Sequence, residues 1–485
     1  MRLVIHGLVA GLMCVCVAGC GAGTPNGGDT NPSESENIGE AMFQLMAVPS
    51  GVGCVRLTVT GSSTVSKDFT LAVGASTTTL NMDRLPLGAI AVTGDAYATT
   101  CGTGSTLYLA DPVAATLRAG VINDIALTFR KNNPVNASVN FVGNVQAIST
   151  QNAVSYAVID GNVFWWGQNP ATGASSPVPT ALAGLTGVAE LSASAAGNTS
   201  CAVKTDGTLW CWGDNVAAEG GQSSPAVLAA PTRVGVEATW AMAGNGSDHS
   251  CAAQPASKTV KCFGSYYLGN GTTATSATPV VVTGVTQGVR SLAVGSYHAC
   301  AVTGALDVRC WGNNSSGQLG DGTPTERLAS VSAGASPAKQ VVAGKAHTCV
   351  AMQDGTARCT GNNLEGSLGD GTGTSRSVFT PVTGLTGVDK LAAGASHTCA
   401  LLTNGTVKCW GANGSGQLGD GSLTTRLTAV PVTLPGTVVL LSAGGNRTCA
   451  VTDVRDIYCW GDNSLGAVGD GTFVNSPIPV KVKAP

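Results

Sequence analysis

One step, an aromatic residue followed by glycine, recurs from about residue 142 to the C-terminus at a nearly constant interval. It stands at Trp166-Gly167, Trp212-Gly213, Phe263-Gly264, Trp311-Gly312, Trp410-Gly411 and Trp460-Gly461, and in one copy it has become Thr360-Gly361. The successive intervals are 46, 51, 48, 49, 50 and 50 residues, a period that marks a repeat architecture. Seven copies of one small unit, each covering its neighbour's apolar surface, are what such a chain has to fold into.

The unit is clearest at 394–421, GASHTCALLTNGTVKCWGANGSGQLGDG. Its first half is an apolar run, a turn and a second apolar run, which is a hairpin signal. Thr403-Asn404-Gly405 suits a three-residue loop with glycine in the left-handed region. Counting outward, Leu401 faces Val407, Ala400 faces Lys408, and Cys399 faces Cys409 at a close, non-hydrogen-bonded site where a disulfide fits. Cys201/Cys211 and Cys349/Cys359 repeat this register around Asp206-Gly207 and Asp354-Gly355. Cys300/Cys310 and Cys449/Cys459 keep the spacing but lack glycine at the third loop position, so their turns are expected to differ. Cys251/Cys262 is one residue longer and carries Pro255. In the first copy the loop shortens to Asp160-Gly161, Tyr156 faces Trp165, and both cysteines are absent together. An aromatic pair can occupy that cross-strand position.

Each unit adds an apolar run before the hairpin (388–394) and another after it (429–434). Four short strands repeated seven times make an all-β chain with a seven-bladed β-propeller over 142–485. The unclaimed NVQAIS at 144–149 and the terminal SPIPVKVKAP suggest that the two ends join within one blade, bringing 145–148 and 478–482 into one closure region.

Ahead of the repeats, residues 1–19 read as a signal peptide, with Arg2 before an apolar core too short to span a membrane. Val17-Ala18-Gly19-Cys20 resembles a bacterial lipobox, which makes Cys20 the expected lipidation site. Gly21, rather than Asp, after that cysteine points to an outer-membrane or cell-surface address. Residues 20–41 are rich in Gly, Pro, Asn, Ser and Glu and read as a flexible tether. Residues 42–133 contain six or seven β-rich runs separated by turn residues, expected as a small antiparallel β-sandwich of immunoglobulin-like or transthyretin-like shape. Of 17 cysteines, Cys14 and Cys16 leave with the leader and Cys20 takes the lipid. The remaining 14 divide into the six hairpin pairs plus Cys54 and Cys101, an even set that fits an oxidising compartment.

The form G-x-x-H-[TSA]-C-A-[LV]-x-x-[DN]-G-x-[VL]-x-C-W-G-x-N-x-x-G-Q-L-G-D-G-T resembles the regulator of chromosome condensation repeat family. Near-complete copies are WGNNSSGQLGDGT at 311–323, WGANGSGQLGDGS at 410–422 and WGDNSLGAVGDGT at 460–472. The first three units are degraded after the aromatic step. The resemblance implies a seven-bladed propeller, in agreement with the count. It implies no single activity: the family's nuclear founder is a guanine nucleotide exchange factor that binds chromatin, others are ligase-associated, and a secreted bacterial relative inhibits β-lactamases. A leader peptide argues against nuclear work. Twenty-five Lys and Arg against 28 Asp and Glu, with no basic cluster, argue against nucleic acid.

Side chains that could carry chemistry are few. His249, His298, His347 and His397 each stand two residues before a cysteine. Neighbouring blades hold equivalent positions about 10 Å apart, too far for one metal ion, so a structural hydrogen-bonding role is expected. Asp321, Asp370, Asp420 and Asp470 offer one acid per segment where calcium wants six to eight oxygens, and turn chemistry accounts for them better. Ser336-Pro-Ala-Lys339 matches S-x-x-K but precedes a strand rather than opening a helix. The divergent segments 168–183, 214–232 and 265–278 hold the candidate binding residues, Tyr266 and Tyr267. The sequence therefore supports a monomeric, non-enzymatic cell-envelope lipoprotein with no cofactor or metal, binding a protein or glycan. The alternatives are an inhibitor of an extracytoplasmic enzyme, an exchange-factor-like regulator, and a carbohydrate-active enzyme.

Overall fold

The computed structural model describes residues 144–483 apart from 194–196 and 255–256, and before them 5–7, 38–45, 54–60, 62–70, 78–86, 88–97, 101, 108–117 and 129–131. Cys20 and Pro255 lie outside the described residues, as does most of the expected leader and tether. The chain divides into two compact units, Met1–Ala137 and Ser138–Pro485.

Among the described residues the first unit holds two antiparallel sheets. One has the strand order Thr64–Thr70, Cys54–Thr60, Gly88–Tyr97, Tyr108–Leu117, Phe129–Lys131, and the other Ile5–Gly7, Ile38–Leu45, Thr78–Pro86. The strand Ile5–Gly7 falls within the expected leader, and Ile38–Leu45 crosses the expected boundary at 41/42. Val55, Leu57 and Val59 are buried at alternate positions of one strand, as a sheet with one covered face requires. Cys54 and Cys101 are bridged with Cα atoms 5.4 Å apart. Cys54–Thr60 and Thr64–Thr70 form one hairpin inside one sheet.

The second unit is a propeller of seven four-stranded antiparallel sheets, each made of consecutive strands. Blade 1 runs from Val145–Thr150 to Ser175–Thr186 and blade 7 from Val438–Gly444 to Ser476–Lys481, with the first strand of each blade innermost. Both terminal blades are therefore complete, which corrects the expectation that the chain ends share one. The stretch around 145–150 pairs with its own neighbour Val154–Ile159, and Ser476–Lys481 is the outer edge of blade 7. The ends do meet, through side chains. Val145, Ala157, Ile159 and Trp166 share one core with Val451, Ile457, Val468 and Val482, and Ile148 and Val480 pack against it. The seam repeats the joints found elsewhere: the Gly471 amide donates to Pro177 O at 2.9 Å, just as Gly421 donates to Pro477 O at 3.0 Å and Gly371 to Leu427 O at 3.0 Å.

Hairpin registers follow the expected count. Cys399 faces Cys409, and Tyr156 faces Trp165 around a two-residue loop with Asp160 and Gly161 at φ 50° and 74°. All six hairpin disulfides are present, with Cα atoms 4.0–4.1 Å apart. Cys201 is joined to Cys211, Cys251 to Cys262 and Cys300 to Cys310. Cys349 is joined to Cys359, Cys399 to Cys409 and Cys449 to Cys459. The extra residue between Cys251 and Cys262 is absorbed in the loop, since the two still face each other directly across the ladder. These cysteines are all buried between blades, Cys211, Cys262, Cys310, Cys359 and Cys459 without any exposure, so the bridges staple hairpins and offer nothing to a ligand.

The turns that lack glycine at the third loop position close as the glycine-bearing ones do, contrary to expectation. Leu306 and Arg455, in the hairpins closed by Cys300–Cys310 and Cys449–Cys459, take the left-handed conformation themselves, at φ 67° and 66°. Their amides close on Thr303 O and Thr452 O as Gly405 does on Leu402 O. Each such residue carries about 1–2 kcal/mol of local strain, which the surrounding ladder and the disulfide outweigh.

Trp212, Trp311, Trp410 and Trp460 are fully buried between blades, with Phe263 in their place in blade 3. Their fit demands glycine in the neighbouring loop: a Cβ on Gly469 would stand 2.7 Å from Trp166 Cδ1.

Candidate functional site: the loop face of the propeller

Each blade is a four-strand meander, so the turn joining strands one and two and the loop joining strands three and four emerge on the same face. That loop face is built by a repeated device. In blade 6, the Asn413 amide donates to Asp420 Oδ1 at 3.2 Å, Ser422 O at 3.0 Å and Thr424 O at 3.1 Å, and accepts from the Leu418 amide at 3.0 Å. Asp420 accepts from the Ser422 amide and hydroxyl and from Arg426. Burial raises the Asp420 carboxyl, but these donors outweigh it and hold the pKa below the ordinary value. Asp321 and Asp370 repeat the arrangement with Arg327 and Arg376. Asp470 repeats the turn with Thr472. The acids organise turns, and among the described residues no cluster of three or more His, Cys, Asp or Glu could hold a metal.

Beneath this layer the histidines link blades. His298, His347 and His397 contact Thr348, Thr398 and Thr448 of the next blade at 2.8, 3.0 and 2.9 Å through Nε2. The Thr348 hydroxyl donates to Gln318 O at 2.8 Å, so it accepts from His298, which assigns the Nε2–H tautomer. A Cβ on Gly394 would collide with the His397 ring, hence the glycine three residues before it. His249 has lost its partner because blade 4 carries Ala299 at that place, and both of its ring nitrogens are buried and unpaired. Burial pushes His249 and His347 down to about 4 and His298 and His397 to about 3, so all four are neutral at physiological pH. In blade 7, Arg447 replaces the histidine and reaches into blade 1, donating to Ser155 Oγ at 3.0 Å and Gln151 O at 2.7 Å.

The sequence-predicted binding residues lie on this face in blade 3. The segment after Phe263-Gly264 is three residues shorter than in blade 4, and Tyr266 and Tyr267 replace the Asn-x-x-Gly turn. Both are left-handed, at φ 52° and 38°, a rare conformation for bulky residues. Tyr266 is 57% exposed. Tyr267 donates its hydroxyl to Glu326 Oε2 at 2.9 Å. Its bond with Asn313 favours the phenolate, but burial and the Glu326 charge outweigh this and hold the Tyr267 pKa above the ordinary value. The ring centroids of the two tyrosines are 6.3 Å apart at 43°. Of the other divergent segments, 168–183 is largely the outer strand Ser175–Thr186, and 214–232 runs into Val227–Arg233. Neither supplies an aromatic residue to the site.

Sequence reasoning missed three features of this region. Tyr297, 42% exposed in the turn before His298, is joined to the pair through Asn313, whose amide donates to Tyr297 O at 2.8 Å. Val216, Leu364, Leu423, Phe473 and Val474 are exposed in the loops of blades 2, 5, 6 and 7. The third is the axial channel of about 580 Å³, lined by innermost strands and bearing Glu190, Arg290, Lys339, Asp389 and Lys390. Burial pushes Glu190 up to about 7 even though it accepts a hydrogen bond from the Ala243 amide. Lys339, from the S-x-x-K match, donates to Val388 O at 2.8 Å and lies on a strand, as the sequence indicates.

No curated protein matches the chain. The family model described as the regulator of chromosome condensation repeat matches residues 192–218, 289–318, 338–367, 388–417 and 438–467. Among solved structures, Prp20p of Saccharomyces cerevisiae, reported with its binding to Gsp1p and histones, is similar at 18% identity and TM-score 0.60, over 70% of this chain and 87% of that one. Human WBSCR16 is similar at 19% identity and TM-score 0.57, over 64% and 86% of the two chains. These likenesses establish the fold. With seven such blades in place and five of them matched in sequence, the propeller belongs to the regulator of chromosome condensation repeat family.

Proposed function

We propose that the chain is an exported, non-enzymatic binding protein, lipid-anchored at Cys20 and carrying its partner on the loop face of the propeller. The observation that carries this reading is where apolar surface is spent. Of the 14 exposed large hydrophobic residues among those described, seven lie on the loop face, five on outer strands and only Val236 and Val454 on the opposite face. Apolar side chains gathered on one face of a rigid scaffold mark an interaction surface. Seven disulfides support the extracytoplasmic address, since such bridges persist in oxidising compartments. A propeller of the same fold, Prp20p, binds Gsp1p and histones, so the scaffold suits protein partners. The apolar sector of blades 5 to 7 also favours a second reading, inhibition of an extracytoplasmic enzyme, which direct inhibition assays decide.

Photo-crosslinking residues placed at Leu364 and Phe473, with Val236 and Val454 as controls, test the face in cells. Cross-links to one partner from the first pair alone are expected. Cross-links confined to the control pair refute the reading. Metabolic labelling with a fatty acid, lost in Cys20→Ser, tests the anchor separately.

A further inference from the structure

The wall of the axial channel changes character along its length. Ile148, Leu191, Leu292, Val341, Leu391 and Leu441 line its middle, one from each blade except the third, which supplies Ala243. Strand registers put these seven at one level. Each faces the residue after the first hairpin cysteine, or after Tyr156 in blade 1, as Leu191 faces Ala202 and Leu391 faces Ala400. One step towards the loop face the lining is small, with Ser192, Gly244, Ala293 and Ala392. One or two steps the other way stand Glu190, Arg290, Lys339, Asp389 and Lys390, near the start of the innermost strands and so at the face opposite the loops. Lys339 lies 4.0 Å from Asp389. Arg290 and Lys390 have no ion-pair partner among the described residues. Burial pushes Glu190 up to about 7, so that acid carries only a partial charge at neutral pH. Other polar side chains tie the wall together: Ser291 Oγ donates to Val341 O at 3.3 Å, and Gln340 donates to Leu391 O at 3.2 Å and accepts from the Leu391 amide at 2.8 Å.

We infer that the axial channel binds a single-chain aliphatic carboxylate, with its head at Arg290 and Lys390 and its chain along the belt of leucine, isoleucine and valine. This site is separate from the loop face and does not depend on the partner bound there. A volume of about 580 Å³ lies within the range of small-molecule sites, which combine an apolar lining with a few placed polar groups. Charge selects the head. Two cations without partners stand at one end of the channel only, and the fork of an arginine donates to both oxygens of a carboxylate. Asp389, next in sequence to Lys390, disfavours a dianion such as a phosphate monoester. The lining selects the tail. No aromatic side chain lines the channel among the described residues, so a sugar or a flat ring finds nothing to stack on. Branched aliphatic side chains instead stabilise each methylene that leaves water. Innermost strands of six residues, such as Val289–Val294 and Val388–Ala393, are about 20 Å long, which leaves room for an extended chain.

Octanoate, decanoate and dodecanoate, titrated calorimetrically into the full-length exported protein below their micellar concentrations, test this. One equivalent is expected to bind, tightening about tenfold for every two methylenes added. Arg290→Gln and Lys390→Gln should each weaken dodecanoate about tenfold, the loss of one charge-assisted contact. Both side chains are exposed, so these variants are expected to fold. Lys345→Gln, in the turn after the innermost strand Ala338–Ala343, lies on the loop face and should bind dodecanoate as the wild type does. Dodecyltrimethylammonium should not bind, and dodecyl phosphate should bind more weakly than dodecanoate. Absence of dodecanoate binding to folded protein, uptake of several equivalents, or an affinity independent of chain length overturns the inference. So does unchanged affinity in both glutamine variants, or equal binding of the ammonium compound. Tighter binding of dodecyl phosphate overturns the assignment of the head as a carboxylate.

Discussion

Acid should unfold this propeller well above the pH at which ordinary carboxylates titrate. Four histidines are buried and neutral in the native state, pushed from the ordinary 6.5 down to about 3 or 4. Nδ1 of His249, His298 and His397 faces no acceptor, so a second ring proton would be buried without a partner. A base with a lowered native pKa contributes its full stability above pH 6.5 and loses it as pH falls towards 3–4. At pH 5.5 each unfolded histidine holds about 0.9 proton and each native one almost none, so unfolding takes up about 3.6 protons. Glu190 runs the other way. With its pKa raised from 4.5 to about 7 it is protonated in the native state at this pH and releases about 0.9 proton on unfolding, which adds stability as pH falls from 7 to 4.5. The net uptake of about 2.7 protons gives a slope near 4 kcal/mol per pH unit, large against a total stability of about 5–15 kcal/mol. Urea denaturation at half-unit steps from pH 8 to pH 5, with disulfides intact, measures this slope directly. His298→Gln, which keeps a donor for Thr348, should lower the uptake by about 0.9 proton. Stability that is flat or rising towards pH 5, or a slope unchanged in His298→Gln, would show that the histidines are not the neutral links described.

Two further outcomes test the repeat logic. Ala299→Thr should supply His249 with the hydroxyl its three counterparts have and raise stability by about 1 kcal/mol, read as a shifted urea midpoint at constant m-value. A loss of stability would mean that blade 4 cannot accommodate the side chain its neighbours hold. Leu306→Gly and Arg455→Gly should each stabilise by about 1 kcal/mol by relieving left-handed strain, while Gly405→Ala, whose Cβ meets Thr437, should destabilise by more than that. If the glycine variants are neutral or worse, the hairpin turns are not equivalent.

The hairpins were legible because their cysteines constrain register twice, by spacing and by joint loss in the first copy, where Tyr156 and Trp165 substitute together. The turns at Leu306 and Arg455 were not, because glycine preference is a local propensity and the ladder on either side overrides it. Ring closure was ambiguous for a different reason. A run of strands with period four can be cut into sheets at any of four places, and nothing in NVQAIS reveals whether it pairs forwards or across the seam. Tyr266 and Tyr267 stood out as aromatic residues in a shortened segment, but Tyr297 belongs to the next repeat. Its proximity depends on how one blade leans on another, through Asn313.

A ring whose blades are all complete has no privileged starting point. The joint between blades 7 and 1 uses the same amide-to-carbonyl latch and the same tryptophan-against-glycine fit as the joints inside the chain. Continuity of the backbone is therefore incidental to closure, and any of the connections between an outer strand and the next inner strand could equally carry the termini. Such a scaffold is free to be re-cut, to gain or lose whole blades in duplication, and to have another domain attached between blades, without a strand having to change partners.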